Sequence, residues 1–490
     1  MRFGFDSVLV ANRGEIAARI LRTVKAAGLR ALLVAHEVDG ETPAMLLADD
    51  VRMLAGETPV AAFLDGAQIL EAAASMGAGA VHPGYGFLSE NAAFARAVEA
   101  AGIVWIGPAP ETIDLMGDKV SARRFVADRG FPVAPSAIED DDPANFAANA
   151  RLVGTPLLIK PSAGGGGKGM RIVRDLTLLE EEIATARSEG ERYFGDGRLF
   201  VERYIENPRH IEVQVLGDGQ GNAIHLFERE CSLQRRFQKI VEEAPSPALS
   251  EAERNDICEA AAGIARACAY RGAGTVEFIY GTGSFYFLEM NTRLQVEHPV
   301  TEAITGVDLV AQQLAIASGS PLPAGQDGIV RAGHAIEARI YAEDPASGFA
   351  PTTGPVLRLV PPAGARFDAG LLEGGRVHAS FDPMIAKLIV HAADREAALA
   401  AMDDALSRLT LLGLTTNIGY LRRLLADADV AAGRMHTGLI AEKPEIAAAP
   451  PLGDETRDAL TALAALVVPD VARRLDAVPA LHAMMGRWQN

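Results

Sequence analysis

Two glutamates and an asparagine in a hairpin pattern predict a site for a divalent cation. Residues 274–280 and 285–291 alternate as two strands do, and Gly281-Thr-Gly-Ser284 lies between them as a turn. If the turn places Glu277 opposite Glu289, both carboxylates project from one face, with Asn291 next along. Like charges in opposite positions destabilise a hairpin, and a bound Mg²⁺ or Mn²⁺ ion would reverse that penalty. The alternative is two solvated acids on an open face.

The residues after this hairpin have the chemistry to hold a small oxyanion and remove its proton. Arg293, Gln295 and Glu297 continue the odd-numbered face of the second strand, which puts a cation, an amide and a carboxylate beside the metal site. A further basic segment at 234–239 ends in Lys239 and precedes two more glutamates. Taken alone, that segment is equally consistent with a solvated charged strand.

A run of glycines predicts a loop that covers phosphate groups. Residues 164–167 are all glycine, Lys160 and Lys168 lie on either side, and strand patterns flank the run. Backbone N–H groups without side chains in the way can fold over phosphate oxygens. The dinucleotide fingerprint requires a helix after the glycines, and a Walker A loop requires Ser or Thr after Lys168, so neither motif fits. A strand–glycine lid–strand arrangement remains, with a flexible hairpin turn as the alternative.

These segments need a large α/β framework to position them. The 490 residues are 49% hydrophobic and carry a net charge of −18, which suits a soluble globular chain of about three domains. The acidic balance disfavours a general nucleic-acid binder. Residues 7–11 have a buried-strand pattern, and Asn12 can cap the helix that follows. The same alternation of strand and helix continues to about residue 117, which predicts a parallel sheet.

The predicted division of the chain has four parts. They are a parallel α/β domain at 1–117, a linker and glycine-rich lid at 118–205, a larger mixed unit at 206–448, and a helical tail at 449–490 in which a helix begins at Asp454 and ends at Pro469. Three cysteines without a C-x-x-C pair argue against a zinc site or a disulfide framework. Neither a secretory signal nor a bilayer-spanning apolar stretch is visible. We therefore expect a cytoplasmic protein that binds neither nucleic acid nor membrane.

Taken in order along the chain, ten segments resemble biotin carboxylase, the ATP-grasp component of biotin-dependent acyl-CoA carboxylases. They include Ala-Asn-Arg-Gly-Glu-Ile at 11–16 and Met-Gly-Asp-Lys at 116–119, and the others lie at 82–91, 164–170, 206–210, 228–243, 289–301, 334–345, 382–387 and 413–417. Each segment is weak alone, but the ordered set is specific. The resemblance implies an ATP-grasp fold of α/β and α+β class. It would have an N-terminal Rossmann-like (pre-ATP-grasp) domain, a small glycine-rich lid domain and a C-terminal mixed domain.

The resemblance also implies roles for individual residues. The residues implied to hold ATP are Lys119, Lys160, Gly165, Gly166, Met170, Glu202, Arg203, Ile205, His210, Gln234, Phe237, Ile279 and Glu289. Two Mg²⁺ or Mn²⁺ ions would be held by Glu277, Glu289 and Asn291. Bicarbonate would be held by Lys239, Arg293, Gln295 and Val296. Glu297 would be the general base, Arg339 would stabilise the enolate of the biotin ureido group, and Tyr85 would lie near the biotin ring.

The implied activity is the ATP-dependent carboxylation of biotin by bicarbonate through carboxyphosphate, the first half-reaction of an acyl-CoA carboxylase. The implied partners are a biotin carboxyl carrier protein or domain and a carboxyltransferase subunit, in a homodimer or a larger α/β complex. One alternative is another ATP-grasp ligase, of carbamoyl-phosphate or purine-pathway type, which the 293–297 run and Arg339 disfavour. The other is an inactive nucleotide-binding regulatory subunit, which the intact carboxylates and Lys239 oppose.

Two features depart from the family pattern. Phe237 stands where many relatives have histidine, and because a Phe side chain cannot donate a hydrogen bond, we expect one weaker nucleotide contact. The chain has no Ala-Met-Lys-Met biotinylation signature, so biotin should arrive from a separate carrier or from a further C-terminal domain. The residues after about 445 resemble the start of the region that follows biotin carboxylase in α subunits. The expectation is therefore that the chain is the N-terminal part of such a subunit.

Overall fold

The computed structural model describes residues 3–162, 169–281, 283–449 and 453–467. The chain separates into two compact units, Met1–Ile446 and Ala447–Asn490. In the second unit, a helix spans Asp454–Val467, which confirms the predicted helix start. The glycine run with Gly165 and Gly166, and the predicted helix end at Pro469, lie outside the described residues.

The N-terminal part of the first unit is a parallel sheet covered by helices. Its strands are β1 Ser7–Val10, β2 Arg30–His36, β3 Asp50–Leu54, β4 Ala80–His82 and β5 Val104–Trp105. Its helices are α1 Gly14–Ala26, α2 Pro43–Leu47, α3 Pro59–Leu64, α4 Gly66–Met76, α5 Ala92–Ala100 and α6 Pro110–Gly117. The strand order is β3-β2-β1-β4-β5, and every neighbouring pair is parallel. The predicted parallel sheet is confirmed, and β1 is buried along its whole length, as helices on both faces require.

Asn12 does not cap helix α1, contrary to the sequence-based expectation. Arg13 occupies the N-cap position, and no side chain caps the helix there. Asn12 is buried, and its Nδ2 donates to the backbone oxygens of Pro83 and Tyr85, both at 2.7 Å. The side chain therefore fixes the loop after β4 instead of the helix, because the loop's carbonyls need donors in a place without water.

A small α+β region follows. Its elements are α7 Lys119–Ala127, β6 Ser136–Ile138, α8 Phe146–Val153, β7 Leu157–Pro161, β8 Arg171–Val173, α9 Leu179–Phe194 and β9 Leu199–Arg203. The strands form a sheet in the order β6-β9-β7-β8. Strands β7 and β8 are antiparallel neighbours on either side of the glycine run, which agrees with the predicted strand–glycine lid–strand arrangement.

One large antiparallel sheet forms the body of the remaining chain. Its strands are β10 Arg209–Asp218, β11 Ala223–Arg235, β12 Gln238–Ala244, β13 Arg271–Gly281, β14 Ser284–Asn291, β15 His334–Tyr341, β20 Arg366–Ala369 and β22 Met384–Ala392. Their order is β14-β13-β10-β11-β12-β15-β22-β20. Short pairs surround it, formed by β16 Glu343–Asp344 with β17 Ala350–Pro351, β18 Gly354–Pro355 with β21 Arg376–Val377, and β19 Arg358–Val360 with β23 Thr410–Leu412.

Helices pack against this sheet, and the alternating residues of β10 show which of its faces is apolar and which is polar. They are α10 Glu251–Ala267, α11 His298–Thr305, α12 Leu309–Ala317, α13 Arg395–Arg408, α14 Ile418–Leu425 and α16 Leu439–Glu442, and the short helix α15 Ala428–Ala431 follows α14. The helix of the second unit is α17. In β10, Ile211 and Val213 join the core formed with α10. The alternate residues His210 and Glu212 therefore point to the opposite face. None of the helices among the described residues has both the length and the apolar composition that a membrane span requires.

Candidate active site

A cavity of about 1040 Å³ opens between the N-terminal sheet, the small α+β region and the polar face of the large sheet. It is lined by every predicted site residue that the structure describes, namely Tyr85, Lys119, Lys160, Met170, Glu202, Arg203, Ile205, His210, Gln234, Phe237, Lys239, Glu277, Ile279, Glu289, Asn291, Arg293, Gln295, Val296, Glu297 and Arg339. These residues are spread over more than 250 residues of sequence, from Tyr85 to Arg339, and the fold brings them together.

The acidic hairpin has the predicted register. Glu277 on β13 lies directly opposite Glu289 on β14, and Glu212 on β10 is the partner of Glu277 on its other side. Three carboxylates therefore lie in a row across three strands. Desolvation, together with the charge of Glu277, raises the pKa of Glu289, which is the expected penalty for like charges. Two facing carboxylates beside the Asn291 amide are a set of oxygen donors that fits a hard divalent cation.

Lys239 on β12 gathers these carboxylates around one ammonium group. Its Nζ lies 2.5 Å from Glu212 Oε2, 2.9 Å from Glu277 Oε1 and 2.5 Å from Glu297 Oε1. Burial alone would lower the pKa of Lys239, but the three carboxylates outweigh it and hold that pKa well above its usual range. Lys239 is therefore a fixed positive charge in the middle of the polar face.

Glu297 is shared between two cations. Its Oε1 contacts Lys239, and its Oε2 accepts from Arg339 Nη2 at 3.0 Å. Burial alone would raise the pKa of Glu297, but these two cations hold it well below its usual range. Arg339 Nε also donates to Glu242 Oε1 at 2.6 Å. Burial raises the pKa of Glu242 to about 7, although Arg339 opposes the shift.

The segment from residue 292 to 297 is not a continuation of the strand, which corrects the expectation. Strand β14 ends at Asn291 and helix α11 begins at His298, with Glu297 at the N-cap position. The physical reason is Pro299, which favours the first turn of a helix and cannot extend a strand ladder. The side chains still converge, because Gln295 Nε2 donates to Glu277 Oε1 at 2.7 Å.

Arg229 supports this arrangement, and sequence reasoning missed it. Its side chain is fully buried, and it donates from Nε to Glu212 Oε1 at 2.5 Å and from Nη2 to Gln295 Oε1 at 2.8 Å. It therefore links the sheet to the loop that carries Gln295. An arginine inside a strand of alternating polar residues was a usable signal, but its partners lie too far along the chain to be identified from spacing.

The opposite end of the cavity is less charged. Lys160 on β7 pairs with Glu202 on β9, and Ile205 and Ile279 contribute apolar surface. Arg203 also lines this end, but its guanidinium group donates to the backbone oxygen of Val153 at 2.6 Å, so that group supports the fold. The cavity is therefore suited to an apolar ring at one end and anionic groups towards Lys160.

Thr437 lines the same end, and no local motif points to it. Its backbone N–H donates to the oxygen of Pro208 at 2.9 Å. Thr437 lies in the loop after α15, more than 200 residues along the chain from Pro208. Only the fold reveals that this loop reaches the cavity.

Phe237 lies at the turn between β11 and β12. Arg236 and Phe237 have φ angles of 50° and 67°, between the paired residues Arg235 and Gln238. A two-residue turn of this kind prefers Asn-Gly, because both positions need φ above zero. The Phe237 side chain is 62% exposed although it lines the cavity. The turn is thus a strained site at the mouth of the cavity.

The loop after β4 brings Tyr85 to the cavity and Glu90 to Arg293, which lines it. The Tyr85 hydroxyl donates to Glu15 on α1. Glu90, which sequence reasoning missed, accepts from Arg293 Nε at 2.9 Å and from the backbone N–H of Thr292 at 3.1 Å. The N-terminal sheet therefore holds Arg293 in place through one carboxylate.

Comparison with protein families matches most of the chain. The biotin carboxylase N-terminal domain matches residues 4–113, and the biotin carboxylase C-terminal domain matches residues 337–442. Between them, residues 118–325 match the ATP binding domain of the carbamoyl-phosphate synthase L chain.

Individual relatives cover nearly the same residues. The biotin carboxylase of Allochromatium vinosum is 47% identical over 432 residues, which are 87% of this chain and 96% of that protein. The mitochondrial methylcrotonoyl-CoA carboxylase subunit alpha of Dictyostelium discoideum is 44% identical over 92% of this chain, and the match covers 65% of that protein. Among solved structures, the biotin carboxylase domain dimer of Hydrogenobacter thermophilus 2-oxoglutarate carboxylase, in complex with MgADP, ADP and bicarbonate, superposes with a TM-score of 0.85. It is 42% identical and covers 92% of this chain and 100% of that one.

Proposed function

Because the chain belongs to the biotin carboxylase family, its activity is the ATP-dependent carboxylation of biotin, and we propose how the cavity residues divide that reaction. ATP enters with its base between Ile205 and Ile279 and its phosphates towards Lys160 and Lys119. Gly165 and Gly166 would contribute backbone donors to the phosphates. A divalent cation held by Glu277, Glu289 and Asn291 would neutralise charge on the phosphate oxygens.

Bicarbonate occupies the region around Lys239. Lys239 and Arg293 supply the positive charge that attracts the anion, and Gln295 and the backbone of Val296 fix its orientation. Glu297 is ionised because two cations hold its pKa low, so it is in the form that accepts a proton. When bicarbonate shares Lys239, that cation stabilises Glu297 less, and the basicity of Glu297 rises.

The deprotonated bicarbonate attacks the γ-phosphoryl group of ATP, so that one P–O bond forms and the bond to ADP breaks. The product is carboxyphosphate, which decomposes in water, and closure of the site protects it. The C–O bond to phosphate then breaks, the carboxyl group forms a bond to the biotin ureido nitrogen, and the proton of that nitrogen passes to the released phosphate. Arg339 stabilises the enolate oxygen of the ureido group, and Tyr85 forms the neighbouring wall.

One observation carries this assignment: the two oxygens of Glu297 face two different cations. Lys239 Nζ lies 2.5 Å from Glu297 Oε1, on the side of the proposed metal ligands. Arg339 Nη2 lies 3.0 Å from Glu297 Oε2, on the other side. A single carboxylate thus joins the step that consumes bicarbonate to the step that carboxylates biotin. The test is ATP hydrolysis measured with and without bicarbonate and with and without free biotin. Hydrolysis that needs bicarbonate and is stimulated by biotin supports the assignment, and hydrolysis independent of both contradicts it.

The partners are part of the proposal. Relatives that match this chain include a stand-alone biotin carboxylase and an α subunit of which the chain covers 65%. We therefore propose that biotin is presented by a carrier protein or domain and that a carboxyltransferase subunit uses the product. A homodimer is proposed from the dimeric relative. An intact-mass measurement after co-expression with a biotin ligase should show no biotin attached to these 490 residues.

The domain division also remains a proposal, at 1–117, 118–205, 206–448 and 449–490. It is supported by the parallel sheet that ends with β5 and by the separate sheet that contains β7 and β8. The eight-stranded sheet runs without interruption from β10 to β22, which favours treating 206–448 as one unit.

A further inference from the structure

A lysine that does not line the cavity connects two of its walls. Lys387 on β22 lies directly opposite Arg339 on β15 and is fully buried. Its Nζ donates to the backbone oxygen of Val296 and lies 3.3 Å from Glu15 Oε1. Lysine is rarely buried to this degree unless its charge is paired. The contact with Val296 fixes the backbone one residue before Glu297.

Glu15 continues the connection to the opposite wall. It lies on α1, is almost fully buried, and accepts the hydroxyl hydrogen bond of Tyr85. Tyr85, Glu15, Lys387 and Val296 therefore form one chain of polar contacts, in which Lys387 links three residues that line the cavity. One end of this chain is a proposed biotin contact, and the other end is the segment proposed to hold bicarbonate.

Glu337 completes the buried cluster with a second carboxyl group. Both of its side-chain oxygens, and Glu15 Oε2, lack a hydrogen-bond partner among the described residues. The charged and titratable groups that face Glu337 are Lys387, Glu242, Arg339, Glu297 and Tyr85. Burial raises the pKa of Glu337 well above its usual range, although Lys387 opposes the shift. Burial also raises the pKa of Glu15, and Lys387 opposes that shift as well, so Lys387 is a cation that both buried carboxyl groups share.

We propose that Lys387 is a positioning residue that, through Glu15 and the backbone of Val296, holds the biotin wall and the bicarbonate segment at one fixed separation. The proposal rests on the function proposed for the cavity. Carboxyl transfer requires the two reactants to be aligned within a fraction of an ångström. Lys387 and Glu15 lie on β22 and α1, whereas Lys160 and Glu202 at the nucleotide end lie on β7 and β9, so we expect ATP binding not to depend on this cluster.

The test compares three variants with the wild type. Lys387→Met keeps the length of the side chain and removes the donor and the charge. Glu15→Gln keeps an acceptor for Tyr85 and removes the charge that faces Lys387. Lys443→Met is the matched control, because Lys443 pairs with Asp427 at 2.6 Å and does not line the cavity. Each protein is assayed for the KM of bicarbonate, free biotin and MgATP, for kcat, and for ATP hydrolysed per biotin carboxylated.

For Lys387→Met we expect the KM of bicarbonate and of biotin to rise about ten- to a hundredfold, with more ATP hydrolysed per biotin carboxylated. The KM of MgATP should stay within about twofold, since the cluster does not reach that end. Glu15→Gln should shift the same quantities in the same direction by less, and Lys443→Met should match the wild type. A merely structural role would instead lower kcat through a smaller folded fraction and leave all three KM values unchanged.

The outcomes separate the two proposals. Wild-type protein without bicarbonate-dependent, biotin-stimulated ATP hydrolysis would overturn the proposed function. An active wild type with unchanged KM values and unchanged coupling in Lys387→Met would overturn the positioning role, as would a parallel rise in the KM of MgATP. If Lys387→Met fails to fold, as judged by circular dichroism and thermal unfolding, Glu15→Gln decides by the same criteria.

Discussion

The two cations beside Glu297 are placed in different surroundings. Lys239 faces three carboxylates, those of Glu212, Glu277 and Glu297. A fourth carboxylate, that of Glu289, lies on β14 opposite Glu277. Arg339 faces two, Glu297 and Glu242, and the pKa of Glu242 is raised to about 7 by burial. The Lys239 region therefore has an excess of negative charge that a divalent cation can neutralise. Around Arg339, the positive and negative charges nearly cancel without an added ion.

This difference indicates how one cavity can serve two steps. A region with excess negative charge would be suited to phosphate and bicarbonate once a divalent cation is bound there, so we expect the first step to require the metal. A region that balances its own charge can accept a neutral ureido group without any added ion. Glu297 belongs to both regions, and the variants below test whether the two regions act separately.

Replacing Glu297 should have the largest effect, because it belongs to both regions. Glu297→Gln keeps the shape but cannot accept the bicarbonate proton, so bicarbonate-dependent ATP cleavage should fall about 10²–10⁴-fold. ATP affinity should stay within about twofold, measured by isothermal titration. Glu251→Gln, at an exposed glutamate outside the cavity, is the control. Turnover near that of the wild type would remove Glu297 from the role of base and leave the comparison without its link.

Replacing Arg339 should separate the two regions. Arg339→Ala removes the group proposed to stabilise the ureido enolate, so biotin carboxylation should fall about 10²-fold or more, with ATP cleavage reduced less. The measurement is the ratio of phosphate released to carboxybiotin formed.

The same change leaves Glu242 and Glu297 buried without their shared cation. Loss of one member of a buried pair costs about 3–5 kcal/mol, so Arg339→Ala should unfold more readily. The double variant with Glu242→Gln removes one of these charges and should recover part of that stability. Equal loss of both partial reactions in the more stable double variant would contradict separate roles for the two regions.

Stability against pH sharpens the contrast from the Arg339 side. Because the pKa of Glu242 in the folded protein, about 7, lies above its ordinary value of 4.5, the folded state binds this proton more tightly. The resulting stabilisation is fully present below pH 4.5 and is lost as pH rises through 7. Each pKa unit corresponds to about 1.4 kcal/mol.

Glu242→Gln should remove this dependence. The difference in unfolding free energy between wild type and variant, measured in urea, should shift in favour of the variant by about 2 kcal/mol between pH 5 and pH 8. Groups unaffected by the change cancel in that difference. If the difference in unfolding free energy stays constant with pH, Glu242 is ionised throughout. The charges around Arg339 then do not cancel in the way described.

Sequence patterns predicted the Lys239 region better than its surroundings, for a physical reason. The register of Glu277 and Glu289 follows from strand alternation and a short turn, both of which are local. The segment at Gln295 and Glu297 was predicted to reach the site, but its predicted strand conformation was wrong, because helix α11 begins at His298 and Pro299 lies in its first turn.

The supporting contacts could not be predicted from spacing. Lys387 and Glu15 are more than 370 residues apart, and Lys387 contacts a backbone oxygen that no residue type reveals. Glu90 likewise reaches Arg293, and Thr437 reaches the cavity, only because separate sheets and loops meet there. Side chains with their own chemistry were predictable, whereas the groups that hold them depend on the complete fold.

The smallest expected effect lies at the turn outside both regions. Phe237→His would supply a hydrogen-bond donor at the mouth of the nucleotide end, and a neutral hydrogen bond contributes about 0.5–1.5 kcal/mol. ATP should therefore bind about two- to tenfold more tightly, measured by titration with MgATP. Histidine also tolerates positive φ better than phenylalanine does, so unfolding free energy should rise slightly.

Phe237→Asn separates these two contributions. Asparagine tolerates the φ of 67° at this position, but its side chain is too short to replace a histidine contact. It should therefore gain stability without gaining ATP affinity. Equal MgATP affinities in the wild type, Phe237→His and Phe237→Asn would show that this turn does not contact the nucleotide. The exposed ring would then line the cavity without a role in binding. An affinity gain confined to the His variant would place the turn among the nucleotide contacts and separate it from both charged regions.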